Sequence, residues 1–328
     1  MKRAEFYSRL FIAAVAIGAV GVPLFFMSQT PLVHARLAEN GGWTPETLRA
    51  GVGEPLHLRL TSDDVVHGFA VGNLDTPSVD VLPGKVTDVT LLFDKPGTYT
   101  FYCTRWCGIN HWRMRGTIEV SGGQSDAAPA EVPLYVSLGI NLDAPRSIPQ
   151  VPAVRPVAEL APQQLSDDLT AYESAQYYRS HSPYEARQDL RRDPMLASRS
   201  DAEIWDLVAS IWRSSTTPKG LAEGERLFAQ NCAACHGERG RGDGVFSDGL
   251  ATAGPASTQA MAATSMSMQR PANFTDPARL LSASPALLQG KILRGGMGTG
   301  MPSWGPILTE DQTWDLVAYL YTFQFDYR

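Results

Sequence analysis

Four cysteines fall in two tight pairs, and each pair sits in a run of other potential ligands. The first run, Phe101-Tyr102-Cys103-Thr104-Arg105-Trp106-Cys107-Gly108-Ile109-Asn110-His111-Trp112-Arg113-Met114, reads Cys-x3-Cys-x3-His-x2-Met. Two thiolates, an imidazole and a thioether make a soft donor set, suited to copper that cycles through Cu(I). A blue-copper loop offers one cysteine, one histidine, a weak methionine and an upstream histidine. Here a second cysteine is inserted, and two thiolates can bridge two copper ions so that one electron is shared across both. A bridged pair needs a further imidazole. Val65-Val66-His67-Gly68-Phe69 offers His67, at the end of a predicted strand 36 residues before Cys103. Composition also allows zinc in a Cys2His2 set, but the methionine in register and the distant histidine favour copper.

The second pair lies in Asn231-Cys232-Ala233-Ala234-Cys235-His236-Gly237. Cys-x-x-Cys-His is the attachment signature of c-type haem: two thioethers tether the macrocycle and the adjacent histidine reaches the iron. A bare Cys-x-x-Cys can instead be a redox dithiol. The following histidine, a predicted helix over Glu223 to Gln230 and the extracytoplasmic placement argued below favour haem.

The elements that must position these groups divide the chain into stretches. Residues 36–120 read as a small β domain. Leu56-His57-Leu58-Arg59-Leu60 and Gly116-Thr117-Ile118-Glu119-Val120 alternate apolar and polar, which leaves His57 on the surface. Val86 to Phe93 and Thr98 to Tyr102 are rich in β-branched and aromatic residues, with the turn Asp94-Lys95-Pro96-Gly97 between them. This predicts an antiparallel sandwich or barrel. Residues 121–165 hold seven prolines and read as an extended, semi-rigid linker. Residues 166–215 read as helical, and 216–328 as a second helical unit with a Gly- and Met-rich excursion at 237–272 and a last helix from Glu310 to Phe323. Trp205-Asp206-Leu207-Val208-Ala209 recurs as Trp314-Asp315-Leu316-Val317-Ala318. That is either a chance match of amphipathic helices or a partial duplication that left a haemless cytochrome remnant at 166–215.

Leu10 to Met27 is eighteen residues without a charge, about 27 Å as a helix and close to the thickness of a bilayer core. Lys2, Arg3 and Arg9 precede it, against Glu5 alone, so residues 1–9 are expected in the cytoplasm and the rest outside. Residues 10–27 are expected to be a retained single-pass anchor in the cell membrane. A cleaved signal peptide ending at Val33-His34-Ala35 leaves the remainder in the same extracytoplasmic compartment. An oxidising compartment invites disulfides, yet both cysteine spacings are too tight to staple a large fold.

The first block resembles the binuclear CuA loop of cytochrome c oxidase subunit II, including its Cys-Gly-x-Asn-His core, over residues 42–120. The resemblance implies a cupredoxin sandwich whose copper ligands are His67, Cys103, Cys107, His111, Met114 and the backbone carbonyl of Arg105. Many family members carry Glu at that last position; Arg keeps the carbonyl but removes a carboxylate that helps to bind magnesium. A single N-terminal span resembles the B-type oxidases. The second block resembles a monohaem class I cytochrome c, with Gly295-Gly296-Met297-Gly298-Thr299-Gly300-Met301-Pro302-Ser303-Trp304 before the last helix. This implies covalent haem on Cys232 and Cys235, with His236 and Met301 as axial ligands and Met297 as the rival to Met301. Arg270-Pro271-Ala272-Asn273-Phe274 resembles the segment along the haem edge, and Arg270 and Arg294 are candidate partners of the propionates. Met261, Met266 and Met268 read as packing or insertion.

Composition limits the alternatives. A net charge of −6 with no basic stripe excludes a nucleic-acid partner. A nitrous oxide reductase needs seven histidines for its catalytic copper cluster, and this chain has six, three of them already assigned. Nothing resembles a catalytic centre. The combined resemblance implies a multidomain chain: one transmembrane helix, an all-β cupredoxin and an all-α cytochrome c domain. It would be the electron-transfer subunit of a haem-copper oxidase. Electrons would run from an external donor (a cytochrome, a cupredoxin or a quinol-oxidising complex) through haem c and CuA to the catalytic subunit I. Two readings stay open beside it: the electron-receiving subunit of a CuA-containing nitric oxide reductase, and a free-standing membrane-anchored shuttle.

Overall fold

A computed structural model describes residues 30–108, 111–123, 132–146, 148, 150–158, 172–248, 270–296 and 300–327. The run Leu10 to Met27 lies outside the described residues, as do Met261, Met266, Met268 and Met297. No helix among the described residues is long and apolar enough to cross a membrane.

Among the described residues, nine strands form two packed sheets: β1 (Leu32–Ala35), β2 (Trp43–Thr44), β3 (Thr47–Gly51), β4 (Leu56–Ser62), β5 (His67–Val71), β6 (Val79–Val81), β7 (Thr87–Leu91), β8 (Gly97–Tyr102) and β9 (Arg115–Ser121). One sheet has the order β2-β1-β4-β7 and the other β3-β9-β8-β5-β6. The expected sandwich is present, but it is mixed rather than antiparallel: β1 pairs parallel with β4, and β3 with β9. About twenty residues separate β1 from β4, enough for a crossover rather than a hairpin. Alternation in β4 buries Leu58 and Leu60 and exposes His57, which bonds Thr90 Oγ1 at 3.0 Å. Trp43 stands edge-on to Phe69 and Phe101, both at 5.7 Å, in the middle of the sandwich core. β5 is buried along its whole length. One face meets that core, and its end is covered by the helical part of the chain.

That helical part contains α1 (Leu134–Ser137), α2 (Ala175–Ser180), α3 (Pro183–Arg192), α4 (Asp201–Ser214), α5 (Pro218–Asn231), α6 (Ala233–His236), α7 (Pro277–Leu280), α8 (Pro285–Arg294) and α9 (Glu310–Tyr321). α5 begins at Pro218, five residues before the predicted start, because Thr217 caps it by accepting from Gly220 N. α9 begins at Glu310 as expected, behind a capping box of Thr309 and Gln312. α5 and α9 cross at Gly224, where a Cβ would lie 2.2 Å from the Asp315 carbonyl oxygen, so only glycine admits this approach.

The stretch 121–165 departs from the expected free spacer. Its described part wraps the helices: Leu142, Ile148 and Ala158 are buried in their core. Arg155 donates to the Phe325 carbonyl at 2.6 Å and to that of Thr322, and Ala158 N donates to Asp326 O at 2.8 Å. Proline removes donors, yet Ala158 N still finds a carbonyl, and the stretch is only partly packed, since Val132, Val136, Leu138, Val151 and Val154 stay exposed. The two copies of Trp-Asp-Leu-Val-Ala share one core. Trp212 of α4 packs edge-on to Tyr321 of α9 at 5.9 Å. Trp205 is buried, whereas Trp314 is half-buried beneath the Arg179 guanidinium at 4.4 Å.

Candidate copper and haem sites

The loop from β8 to β9 carries most of the predicted copper ligands. Cys103 N donates to Met114 O at 3.0 Å, which extends the β8–β9 ladder by one rung and closes the loop. A short 3-10 turn, His111–Arg113, returns the chain to β9. His67 comes from the neighbouring strand, where it is the first residue of β5. His67, Cys103, His111 and Met114 are all buried.

The sulfurs of Cys103 and Cys107 lie 3.9 Å apart. With metal–sulfur bonds of about 2.3 Å, one ion reaches both sulfurs across any gap up to roughly 4.6 Å. His67 Nδ1 is 3.8 Å from Cys103 Sγ, and His111 Nδ1 is 3.9 Å from Cys107 Sγ. Met114 Sδ is 3.3 Å from Cys107 Sγ, and the Arg105 carbonyl oxygen is 3.3 Å from Cys103 Sγ. Thus all six predicted residues converge on one pair of sulfurs, and their soft donors fit copper. The Arg105 side chain points elsewhere and grips Asp80 at 2.8 and 3.0 Å.

One further residue, Asp64, completes the surroundings. Its Oδ1 lies 2.7 Å from His67 Nε2, which turns Nδ1 toward the thiols. Burial opposes the Asp64 charge, but hydrogen bonds from Leu37 N, His67 and Val65 N outweigh it and hold the carboxyl below its usual pKa. Burial likewise opposes a charge on His67, yet its bonds to Cys103 and Asp64 raise its pKa overall. The shared bond between the thiols pushes Cys103 down and Cys107 up. Metal binding must expel both thiol protons.

The second site grows from the end of α5. Cys232 caps that helix, and α6 carries Cys235 and His236 back across the same opening. His236 Nδ1 lies 3.0 Å from Ala272 O, so Nδ1 carries the proton and Nε2 is left with its lone pair. The ring stacks on Phe274 at 4.7 Å, and burial lowers its pKa, which keeps it neutral. Burial pushes the Cys232 thiol up to about 12 and raises that of Cys235. A redox dithiol needs the opposite shift, toward thiolate. Both cysteines, His236 and Met301 line one cavity of about 410 Å³. Gly296 N donates to Met301 O at 3.0 Å, which folds the Met301 loop against the cavity. Arg294 also lines it but is held by Asp143 at 2.8 and 2.6 Å; Arg270 makes a looser contact of 3.4 Å with Asp248. The Cys-x-x-Cys-His turn, a neutral histidine with a free Nε2 and a cavity with a cationic rim suit a covalently tethered, dicarboxylate haem.

Trp106 and Trp112, which flank the copper ligands, pack toward the helical unit. Both line the same cavity as Cys232 and Cys235, and Trp106 packs against Phe246 at 5.8 Å. The loop is covered because the two units share a seam. Asn73 N donates to Ile307 O at 3.2 Å, Arg115 donates to Ser303 O at 2.8 Å, and the Arg115 guanidinium lies over Trp304 at 5.5 Å.

Sequence comparisons agree with this division. Residues 46–121 match the family described as cytochrome c oxidase subunit II, periplasmic domain, and residues 221–324 match cytochrome c. The chain thus joins a cupredoxin-like sandwich to a cytochrome c-like helical unit. Its first part is similar to the periplasmic domain of cytochrome c oxidase subunit II and its second part to cytochrome c. It is 39% identical over 79 residues, 24% of its length, to cytochrome c oxidase subunit 2 of Thermus thermophilus, covering 58% of that protein. The same identity and length relate it to the subunit 2 of a second strain of Thermus thermophilus, covering 46% of that protein. The chain therefore spans about half the length of these relatives. A haem-copper terminal oxidase dimer solved by cryo-EM is 23% identical, covering 37% of this chain and 95% of that one, with a TM-score of 0.25. The periplasmic domain of subunit II of Bradyrhizobium japonicum cytochrome oxidase is 25% identical, covering 23% and 54%, with a TM-score of 0.22.

Proposed function

We propose that this chain is the electron-transfer subunit of a membrane-bound haem-copper terminal oxidase. In this reading it takes electrons from an external donor at a covalent haem c, passes them to a binuclear CuA centre, and delivers them to the catalytic subunit I. The observation that carries the proposal is the shared wall: Trp106 and Trp112 of the Cys103–Met114 loop line the cavity of Cys232, Cys235 and His236. When bound, haem and copper supply one-electron redox chemistry, which no side chain here replaces.

The protein's own part is holding and shielding. Cys103 and Cys107 would hold the copper through their thiolates, with His67, His111, Met114 and the Arg105 carbonyl as further donors. Asp64 keeps the His67 ring turned toward the sulfurs. A site whose donors are buried and set by a closed loop reorganises little when the charge on the metal changes, which favours fast transfer. Cys232 and Cys235 would tether the haem, the Ala272 carbonyl orients His236 so that Nε2 could bind its iron, and Met301 would supply a thioether, a His/Met pair that raises the haem potential. Leu10 to Met27 anchors the chain, so both redox domains work on the extracytoplasmic face of the cell membrane.

Optical and EPR spectra of the purified holoprotein, with metal analysis, test this reading. Cys103→Ser and Cys107→Ser each abolish the mixed-valence copper signal and leave the haem c bands intact. A copper signal that survives both substitutions overturns the ligand assignment. Co-purification with a polytopic haem protein, followed by turnover on oxygen against nitric oxide, identifies the acceptor.

A further inference from the structure

The two sites are joined by one side chain. The Trp106 indole packs on the His111 imidazole with ring centroids 4.5 Å apart. The same indole lines the cavity bounded by Cys232 and Cys235, and it touches Phe246 at 5.8 Å. Phe246 rides on the Cys-x-x-Cys turn itself, because its N–H donates to Ala234 O at 2.9 Å. Packed atoms therefore run from a predicted copper ligand to the turn that holds the haem. Trp106 is half-buried, and its site is covered by the cytochrome unit.

We propose that Trp106 is the positioning residue for electron exchange between the two cofactors. It fills the space between His111 and the cavity of Cys232 and Cys235, so that coupling would run through bonded and packed atoms instead of through water. The proposal rests on the functional reading above, namely haem c at Cys232/Cys235 and copper at Cys103/Cys107. In each event the ferrous haem loses one electron and the mixed-valence copper pair gains it. No bond forms or breaks, no proton moves, and the indole stays neutral. Coupling across a gap decays faster than coupling through packed atoms, so an aliphatic side chain of smaller reach slows the exchange. A flat aromatic of similar size keeps most of it.

The test is flash photoreduction of the full-length holoprotein, following haem reoxidation and copper reduction in the same trace. In W106L the intrachain rate falls about tenfold, while the haem bands, the copper EPR signal and both midpoint potentials stay at wild-type values; W106F restores most of the rate. An unchanged rate in W106L overturns the proposal. So does a shift in either potential, which makes Trp106 a tuning residue rather than a coupling one. If W106L does not fold, W106F and F246L carry the test: the first must stay fast and the second must slow, and the reverse order overturns the proposal. Failure of the underlying reading looks different, since the wild-type protein itself then shows no copper signal or no intrachain exchange.

Discussion

Asp64 is the residue whose removal most directly separates ligand chemistry from packing. Its Oδ1 holds His67 Nε2 at 2.7 Å, and it also accepts from Leu37 N and Val65 N. A metal-bound histidine oriented by a carboxylate loses affinity when that carboxylate is removed, by about ten- to hundredfold in known sites. Asp64→Ala is expected to weaken copper binding by that factor in a competition titration, with the haem bands unaltered. An unchanged copper affinity would show that the sandwich alone fixes the His67 ring. At this scale most of the site was legible in the sequence, because soft donors at tight spacing have few other uses. Asp64 and the Ala272 carbonyl were not, since aspartate is common on surfaces and a backbone carbonyl has no signature in the sequence.

The helices end where local chemistry says they should. α4 starts in a reciprocal capping box: Ser200 Oγ accepts from Glu203 N, and the Glu203 carboxylate accepts from Ser200 N at 2.7 Å. That backbone bond and the Arg199 contact lower the Glu203 pKa from 4.5 to about 2. A carboxylate with a depressed folded-state pKa stabilises fully above its unfolded value and loses that contribution as pH falls through its folded value. The stability gap between wild type and Glu203→Gln is therefore present above pH 4.5 and closes between 4.5 and about 2. Urea midpoints measured across that window check this, and a gap independent of pH contradicts it. α5 and α9 were legible as helices in the sequence, although α5 starts five residues earlier than read, at its Thr217 cap. The parallel pairing of β1 and β3 was not, and the strands read as antiparallel, since alternation marks which face of a strand is buried and not which neighbour it takes.

At the scale of the molecule, the seam between sandwich and helices sets how the cofactors meet. A Cβ on Gly72 would lie 2.6 Å from the Pro306 carbonyl oxygen and 2.7 Å from the Ile307 Cα, and backbone atoms cannot yield as a flexible side chain can. Gly72→Val is expected to cost about 1–3 kcal/mol in chemical denaturation and to part the two units. Solution scattering would then report a larger radius, and haem-to-copper exchange would slow, while each site kept its own spectrum. Wild-type scattering together with a wild-type rate would show that the seam does not hold the units together.

What the residues determine by themselves is chemistry and local form. Cysteine pairs with histidine and methionine at short spacing select a metal or haem, and helix caps and strand alternation follow from neighbours within a few positions. Only the tertiary structure decided how those pieces face one another. In the sequence Trp106 is only an aromatic between two candidate ligands, and in the fold it becomes part of the wall of the Cys232 cavity, packed against Phe246 more than a hundred positions away. The proline-rich stretch reads as a spacer, yet Leu142, Ile148 and Ala158 are buried in the helical core. Contacts of that range depend on which surfaces meet when the sandwich and the helices pack, and surface complementarity leaves no period, cap or spacing in the chain to be read.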